Sequence, residues 1–178
     1  MNLNVREIEH KDIDSIANYW LQSDPEFLTG MGVDLKKLPT REQLTTMLTN
    51  QINATIKEKM SYALIWEIDG KPCGHSNINE IAFGETAKMH LHLWFPEKRK
   101  KGMGSELVKK SLPHYFEKFE LKELLCEPYA LNPAPNKTLK NIGFDFIKQY
   151  TTTPGSLNFE QEVMQWKMTK EKFKSLFH

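Results

Sequence analysis

The segment MHLHLWFPEKRKKGMGSELVKK, Met89 to Lys110, limits what this chain can fold into more than any other. From Met89 to Phe95 it is apolar or aromatic except for His90 and His92, which share one side of a two-residue period with Trp94. Pro96 ends that strand because it cannot donate to a ladder. Arg99, Lys100, Lys101, Gly102, Met103 and Gly104 then form the pattern Arg-x-x-Gly-x-Gly. Met103, Leu107, Val108, Leu112, Tyr115, Phe116 and Phe119 follow as one apolar helical stripe. A strand, a basic glycine-bearing turn and an amphipathic helix in direct succession call for an α/β arrangement, a sheet with a helix packed on it.

The first amides of a helix lack intrahelical partners, and the helix dipole places partial positive charge there. Glycines at 102 and 104 let an anion approach the backbone, and Arg99, Lys100 and Lys101 add full charges. The guest such a turn suits is a phosphate or pyrophosphate. It is neither a Walker A loop nor a dinucleotide fingerprint, since Gly-x-x-x-x-Gly-Lys-Ser/Thr is absent and position 107 is Leu. The plain alternative is a solvated basic loop that carries two glycines.

A chain of 178 residues suits one domain with one sizeable core, so residues 1–178 are read as a single domain. Its 39% hydrophobic and 26% charged residues are ordinary for a globular protein, and a formal charge of +1 gives no global field for nucleic acid or an anionic membrane. The short basic run Lys98 to Lys101 suits one anion site. Cys73 and Cys126 lack metal-type spacing, lie in apolar surroundings and are expected as buried free thiols. With no secretory signal or membrane-length apolar run in view, a reducing, cytoplasmic setting is expected.

Along the chain, Leu3 to Ile8 alternates as a strand and Asp12 to Leu21 suits a helix. Ser23 to Thr40 reads as irregular, and Thr40 with Gln43 forms a capping box for a helix from Arg41 to about Lys57. Ser61 to Ile68, the turn Asp69-Gly70, and Lys71 to Phe83 with a bulge at Gly74 form a hairpin that continues into Thr86 to Phe95. The helix from Gly102 to Lys118 holds Pro113, which predicts a bend or break near Ser111. Leu121 to Cys126 is a short strand, expected parallel to Met89 to Phe95 through a right-handed crossover. A short helix is expected from about Asn136 to Gly143, then strands at Asp145 to Thr151 and Glu162 to Met168.

Arg99 to Gly104 between a strand and a helix resembles motif A of the GNAT superfamily of N-acetyltransferases, which binds coenzyme A. A second block, Asn132 to Phe144 (NPAPNKTLKNIGF), resembles the Asn-x-x-Ser...Glu-Lys-x-Gly-Phe segment of the branch with the ribosomal-protein alanine and serine acetyltransferases. Pro135 stands where that branch usually has Ser, and Lys140-Asn141 replaces Glu-Lys. The resemblance covers roughly residues 87 to 150 and implies an acetyl-CoA-dependent N-acetyltransferase. The implied fold is a mixed, mostly antiparallel twisted sheet of about six to seven strands flanked by helices, with a central parallel pair splayed at the coenzyme. It assigns Leu93, Trp94 and Phe95 to the pantetheine arm, Arg99 to Ser105 to the pyrophosphate, and Asn132 and Asn136 to the pantetheine or acetyl end.

Acetyl transfer to an amine needs a held cofactor, a neutral amine, a stabilised oxyanion and a leaving thiolate. A backbone amide near Leu93 or Trp94 would meet the oxyanion. Many GNAT proteins carry an acid tyrosine four residues before the Gly-Phe pair; here that place is Leu139, and Tyr129 is the nearest phenol. For the amine proton the candidates are His90, His92, Glu80 and Glu127. The His90-x-His92 pair also fits a polar strand face or a metal, and no metal is expected. Phe27, Met31, the helix after Thr40 and the loop Thr152 to Glu160 with Phe159 are candidates for the acceptor side, or cover the sheet. The acceptor is a small amine or a protein N-terminus, the chain a monomer or homodimer, without nucleic-acid or membrane partners. The competing reading is a GNAT-like coenzyme-binding sensor that no longer transfers.

Overall fold

In the computed structural model residues 1–95 and 102–177 are described. Pro96 to Lys101, and with them the expected strand stop and the basic side chains Arg99, Lys100 and Lys101, lie outside the described residues.

The hairpin at the centre forms because Asp69 and Gly70 both take positive φ, 49° and 76°, as a two-residue turn between right-twisted strands requires. It joins β2 (Ser61–Ile68) to β3 (Lys71–Ala82), flanked by β1 (Leu3–Glu7) and β4 (Thr86–Leu93). With β5 (Glu123–Cys126), β6 (Asp145–Thr152) and β7 (Gln161–Thr169) they form a seven-stranded sheet in the order β1-β2-β3-β4-β5-β7-β6. Every neighbouring pair is antiparallel except β4 with β5, the parallel pair the sequence predicts. The expected bulge is present: Trp66 faces Gly74 while Glu67 faces Pro72.

The two faces of β4 divide the molecule. Ala87, Met89, Leu91 and Leu93 join the core under α4 (Met103–Lys118), whose Leu107, Val108, Leu112, Tyr115 and Phe116 are buried. Each such side chain removed from water contributes about 1.5–3 kcal/mol. Lys88, His90, His92 and Trp94 alternate to the other face, where α1 (Ile13–Gln22) and α3 (Arg41–Asn53) pack. The capping box holds α3 in place: Thr40 accepts from the Gln43 amide at 3.1 Å, and Gln43 accepts from the Thr40 amide at 2.9 Å.

Five local expectations are corrected. Pro25–Gly30, expected irregular, is a helix (α2), because Asp24 accepts from the amides of Glu26 and Phe27 and Pro25 sits at the first helical position. Of the bend or break expected near Ser111, the break is absent: α4 runs on through Pro113, and the buried side chains on both sides of it hold the two halves on one sheet face against a cost of about 3 kcal/mol. The helix α5 (Pro133–Ile142) begins three residues early, since Pro133 and Pro135 fall in its first turn, where no amide is needed. The helix α3 stops at Asn53, short of Lys57. A final helix, α6 (Lys170–Phe177), was not foreseen; Phe173 stacks on Phe116 at 4.6 Å and closes the core.

Candidate active site

The coenzyme strand outruns its parallel neighbour. The pairing of β4 with β5 ends at Met89 and Cys126, while β4 continues to Leu93 against β3. The Trp94 amide donates to Cys73 O at 2.9 Å, so by alternation the backbone groups of His90 and His92 also face β3. Those of Leu91 and Leu93 face the gap where β5 has left. At the fork the Cys126 thiol donates to Met89 O at 3.1 Å. Both cysteines are buried thiols outside any disulfide. Of the two amides expected at the oxyanion, Trp94 is therefore committed to β3 and Leu93 faces the gap.

The start of α4 fits a pyrophosphate. Gly102 has φ +83°, and among the described residues a Cβ there would meet nothing within 4 Å. At Gly104 it would meet, among the described residues, only Thr138 Oγ1, at 3.8 Å. The Glu106 amide makes the bond to Gly102 O, and no side chain caps the amides of Met103, Gly104 and Ser105 among the described residues. Among the described residues nothing covers the backbone on the side where an anion meets the helix dipole. The Met103 side chain points into the core.

On the opposite face three imidazoles gather. The rings of His75 and His92 stack at 4.6 Å, with Tyr19 and Trp20 edge-on to His92 at 5.5 and 4.9 Å. Trp94 Nε1 donates to His75 Nδ1 at 2.8 Å, and His90 Nε2 lies 2.9 Å from Asn79 Oδ1. Burial pushes His75 down to about 3 and His90 to about 4, and burial with the adjacent imidazoles holds His92 well below the usual value. All three are neutral near pH 7.

Glu127 behaves differently. It bonds Lys88 at 2.7 Å, accepts from Gln165 at 3.2 Å and accepts from the Tyr150 hydroxyl. Burial raises its pKa, but these partners outweigh burial and leave it below the ordinary carboxylate value. Lys88 also reaches Glu80 at 3.1 Å.

One cavity of 830 Å³ joins the fork at Met89 and Cys126 to the imidazole face and Glu127; Leu93 and the start of α4 are not among its lining residues. At one end it is lined by Leu91, Cys126, Tyr129, Asn132 and Pro135, and its floor carries His75, His90, His92, Asn77 and Asn79. Its walls are Trp20, Met31, Leu44 and Leu48, and its roof is Pro154 to Asn158. That roof is sewn down. The Asp34 amide donates to Leu157 O at 2.8 Å, Lys37 Nζ to Asn158 O at 2.7 Å, and Asn158 and Gln161 both donate to Gly32 O.

Residues 2–145 match the model of the acetyltransferase (GNAT) domain family. The chain belongs to this family. As a GNAT protein it is an acetyl-CoA-dependent acyltransferase. Solved GNAT structures agree over nearly the whole chain. A spermidine N-acetyltransferase from Vibrio cholerae, in complex with CoA and spermine, superposes with a TM-score of 0.78 at 16% identity, over 97% of this chain and 98% of that one. A ribosomal L7/L12 alpha-N-protein acetyltransferase (RimL), in complex with coenzyme A, gives 0.77 at 12% identity, over 97% and 96%. At these identities the likeness is one of fold. No curated protein sequence matches the chain significantly.

Within this GNAT frame the remaining candidates divide. Tyr129 lines the cavity with Phe159 edge-on to it at 5.6 Å. Asn132 sits at the N-cap position of α5 without a side-chain capping bond and lines the cavity, whereas the Asn136 side chain is spent inside the protein, on Trp166 Nε1 at 2.8 Å and on the carbonyls of Tyr129 and Asn132. Phe27 lies edge-on to Tyr19 at 6.3 Å, behind the wall, and Glu80 serves Lys88. Sequence reasoning missed Tyr19, Trp20, Asn77 and Asn79. The two asparagines sit in the same alternation as His75, which was the available signal; Tyr19 and Trp20 read only as a helix stripe.

Proposed function

We propose that this GNAT protein acetylates a primary amine by direct attack, with coenzyme and acceptor bound together in the 830 Å³ cavity. The observation that carries the proposal is the continuity of that cavity from the fork of β4 and β5 to a floor of neutral imidazoles.

Bound acetyl-CoA supplies the activated acyl group as a thioester. The gap-facing backbone of Leu91 and Leu93 offers a strand edge for the pantetheine arm, and the amides of Met103 to Ser105 hold the pyrophosphate. The Leu93 N–H is the preorganised donor for charge that develops on the carbonyl oxygen. An ammonium arrives with a pKa of roughly 10, and the low-polarity walls favour its neutral form.

His92 is the group we assign to receive the proton released as the new bond forms. Tyr19 Oη contacts both Met31 Sδ, at 3.4 Å, and His92 Nδ1, at 3.2 Å. A phenol has one hydrogen. Given to Met31, it leaves the oxygen to accept from His92 Nδ1–H, and Nε2 is then the basic nitrogen. Glu127 suits this role less, because Lys88, Tyr150 and Gln165 already occupy its oxygens. The leaving thiol has a pKa of roughly 8.5, so it departs without a dedicated acid, consistent with a buried Leu139 at the usual tyrosine position.

The test is release of free thiol from acetyl-CoA with a panel of primary amines, beside calorimetry with coenzyme A. Turnover with stoichiometric N-acetyl product is expected. Coenzyme binding without turnover on any amine would replace transfer with the sensor reading.

A further inference from the structure

The walls of the cavity say what kind of amine fits. Among the described residues that line it, only Lys37, Glu42 and Glu127 carry a formal charge near neutral pH. Glu127 is already paired with Lys88 at 2.7 Å, and Lys37 is held at the roof by Asn158 O. That leaves one carboxylate, Glu42, exposed on α3 at the mouth. A polyamine in this cavity would bring a second and third ammonium to that single carboxylate, and an unpaired buried cation is costly. Indole, thioether and aliphatic surface from Trp20, Met31, Val33, Leu44, Leu48 and Leu157 would instead meet an uncharged body.

The size and closure of the site point the same way. A cavity of 830 Å³ must hold the acetyl end of the coenzyme as well as the acceptor, and small-molecule sites span about 300–1,000 Å³. The roof is fastened at Gly32, Asp34 and Lys37, so a folded protein surface cannot lie across the floor. From this we infer that the acceptor is a small primary monoamine on an apolar or aromatic body. The reacting amine is its only positive charge. The inference rests on the transfer reading above and sharpens it, and it separates this chain from the spermidine acetyltransferases whose fold it shares.

The experiment measures kcat/KM for the full chain with acetyl-CoA and three acceptor sets: 2-phenylethylamine and hexylamine, spermidine, and short peptides with a free N-terminus. The apolar monoamines should exceed spermidine and the peptides by at least about 100-fold. Met47 lines the mouth at 58% exposure, so a charge there leaves the fold intact. Met47→Glu supplies a second carboxylate beside Glu42, and spermidine turnover should rise several-fold relative to hexylamine. Preference for spermidine, or for peptide N-termini, overturns the inference and leaves acetyl transfer standing. Coenzyme binding with no product from any set overturns the transfer reading, and the inference with it.

Discussion

Tyr19 Oη lies 3.2 Å from His92 Nδ1, so the first helix fixes the ring of the coenzyme strand across 73 residues of chain. Removing the proposed base with His92→Ala should lower kcat about 10²-fold or more, the usual size of a general-base contribution. Tyr19→Phe keeps the ring packing and deletes the hydroxyl contacts to His92 and Met31; the lost His92 bond is worth about 1 kcal/mol, so the loss of kcat should be nearer tenfold. The two variants combined should cost little more than His92→Ala alone, because Tyr19 acts through His92. Steady-state kinetics on an apolar amine read this out; fully additive losses would separate the two residues.

The stacked pair His75 and His92 also links folding to pH. His75 in the fold titrates near 3, against about 6.5 when unfolded, because burial disfavours its charged form. Between those values the unfolded chain binds the extra proton, so stability is complete above about pH 6.5 and falls as pH drops toward 3. For His75 alone that is about 2 kcal/mol between pH 6.5 and 5. Urea unfolding at the two pH values should show the loss, and His75→Gln, which can still accept from Trp94, should flatten the slope.

Much of this architecture was written locally. Asp69-Gly70, the Thr40–Gln43 box and the alternation of β2 to β4 act over a few residues, so their geometry is legible in the sequence. The fork between β4 and β5 was anticipated only through family resemblance; its cause is the short β5, whose ladder stops at Cys126. The imidazole cluster was half legible. His90 and His92 share a face by period, but His75 joins them only through the register that sets it opposite His92. Tyr19, Trp20 and the roof come from distant segments, and no local pattern records such contacts. The missed α6 has a helical moment too short to stand alone, and tertiary packing of Phe173 makes it.

Gly74 sets the distance between the strands beside that cluster. A Cβ there would stand 2.5 Å from His92 O and 3.2 Å from Leu93 Cα, both backbone atoms that cannot swing aside. Gly74→Ala should cost about 1–3 kcal/mol as an overpacking change. It should also displace the Leu93 edge and weaken coenzyme binding. Thermal melting with and without coenzyme A checks both effects; a wild-type coenzyme affinity would detach the bulge from the site.

At Gly102 the expectation is reversed, with binding lost more than stability. Its φ of +83° makes Gly102→Val strained by about 1–2 kcal/mol, yet no described residue stands within 4 Å of the added Cβ and the fold should survive. The added branch stands against the bare amides that await the pyrophosphate, so calorimetry should find coenzyme affinity reduced at least tenfold. Unchanged affinity would remove the start of α4 from the coenzyme site.

Glu127 and His92 are told apart by opposite responses. Glu127 is held ionised by Lys88, Tyr150 and Gln165, and its stabilising effect is present above its unfolded pKa and lost as pH falls through the lower folded value. Glu127→Gln leaves Lys88 with the exposed Glu80 at 3.1 Å as its carboxylate partner, beside Pro154 O at 3.5 Å. Uncompensated charge of this kind should cost about 1–3 kcal/mol, less than for a fully buried pair because one partner remains. Melting should therefore fall by several degrees while kcat on an apolar amine drops less than tenfold. His92→Ala should do the reverse, with a loss of kcat far larger than the change in melting that removing its packed ring brings. A Glu127→Gln protein that melts normally and does not turn over would make the carboxylate the base and reassign His92 to the wall.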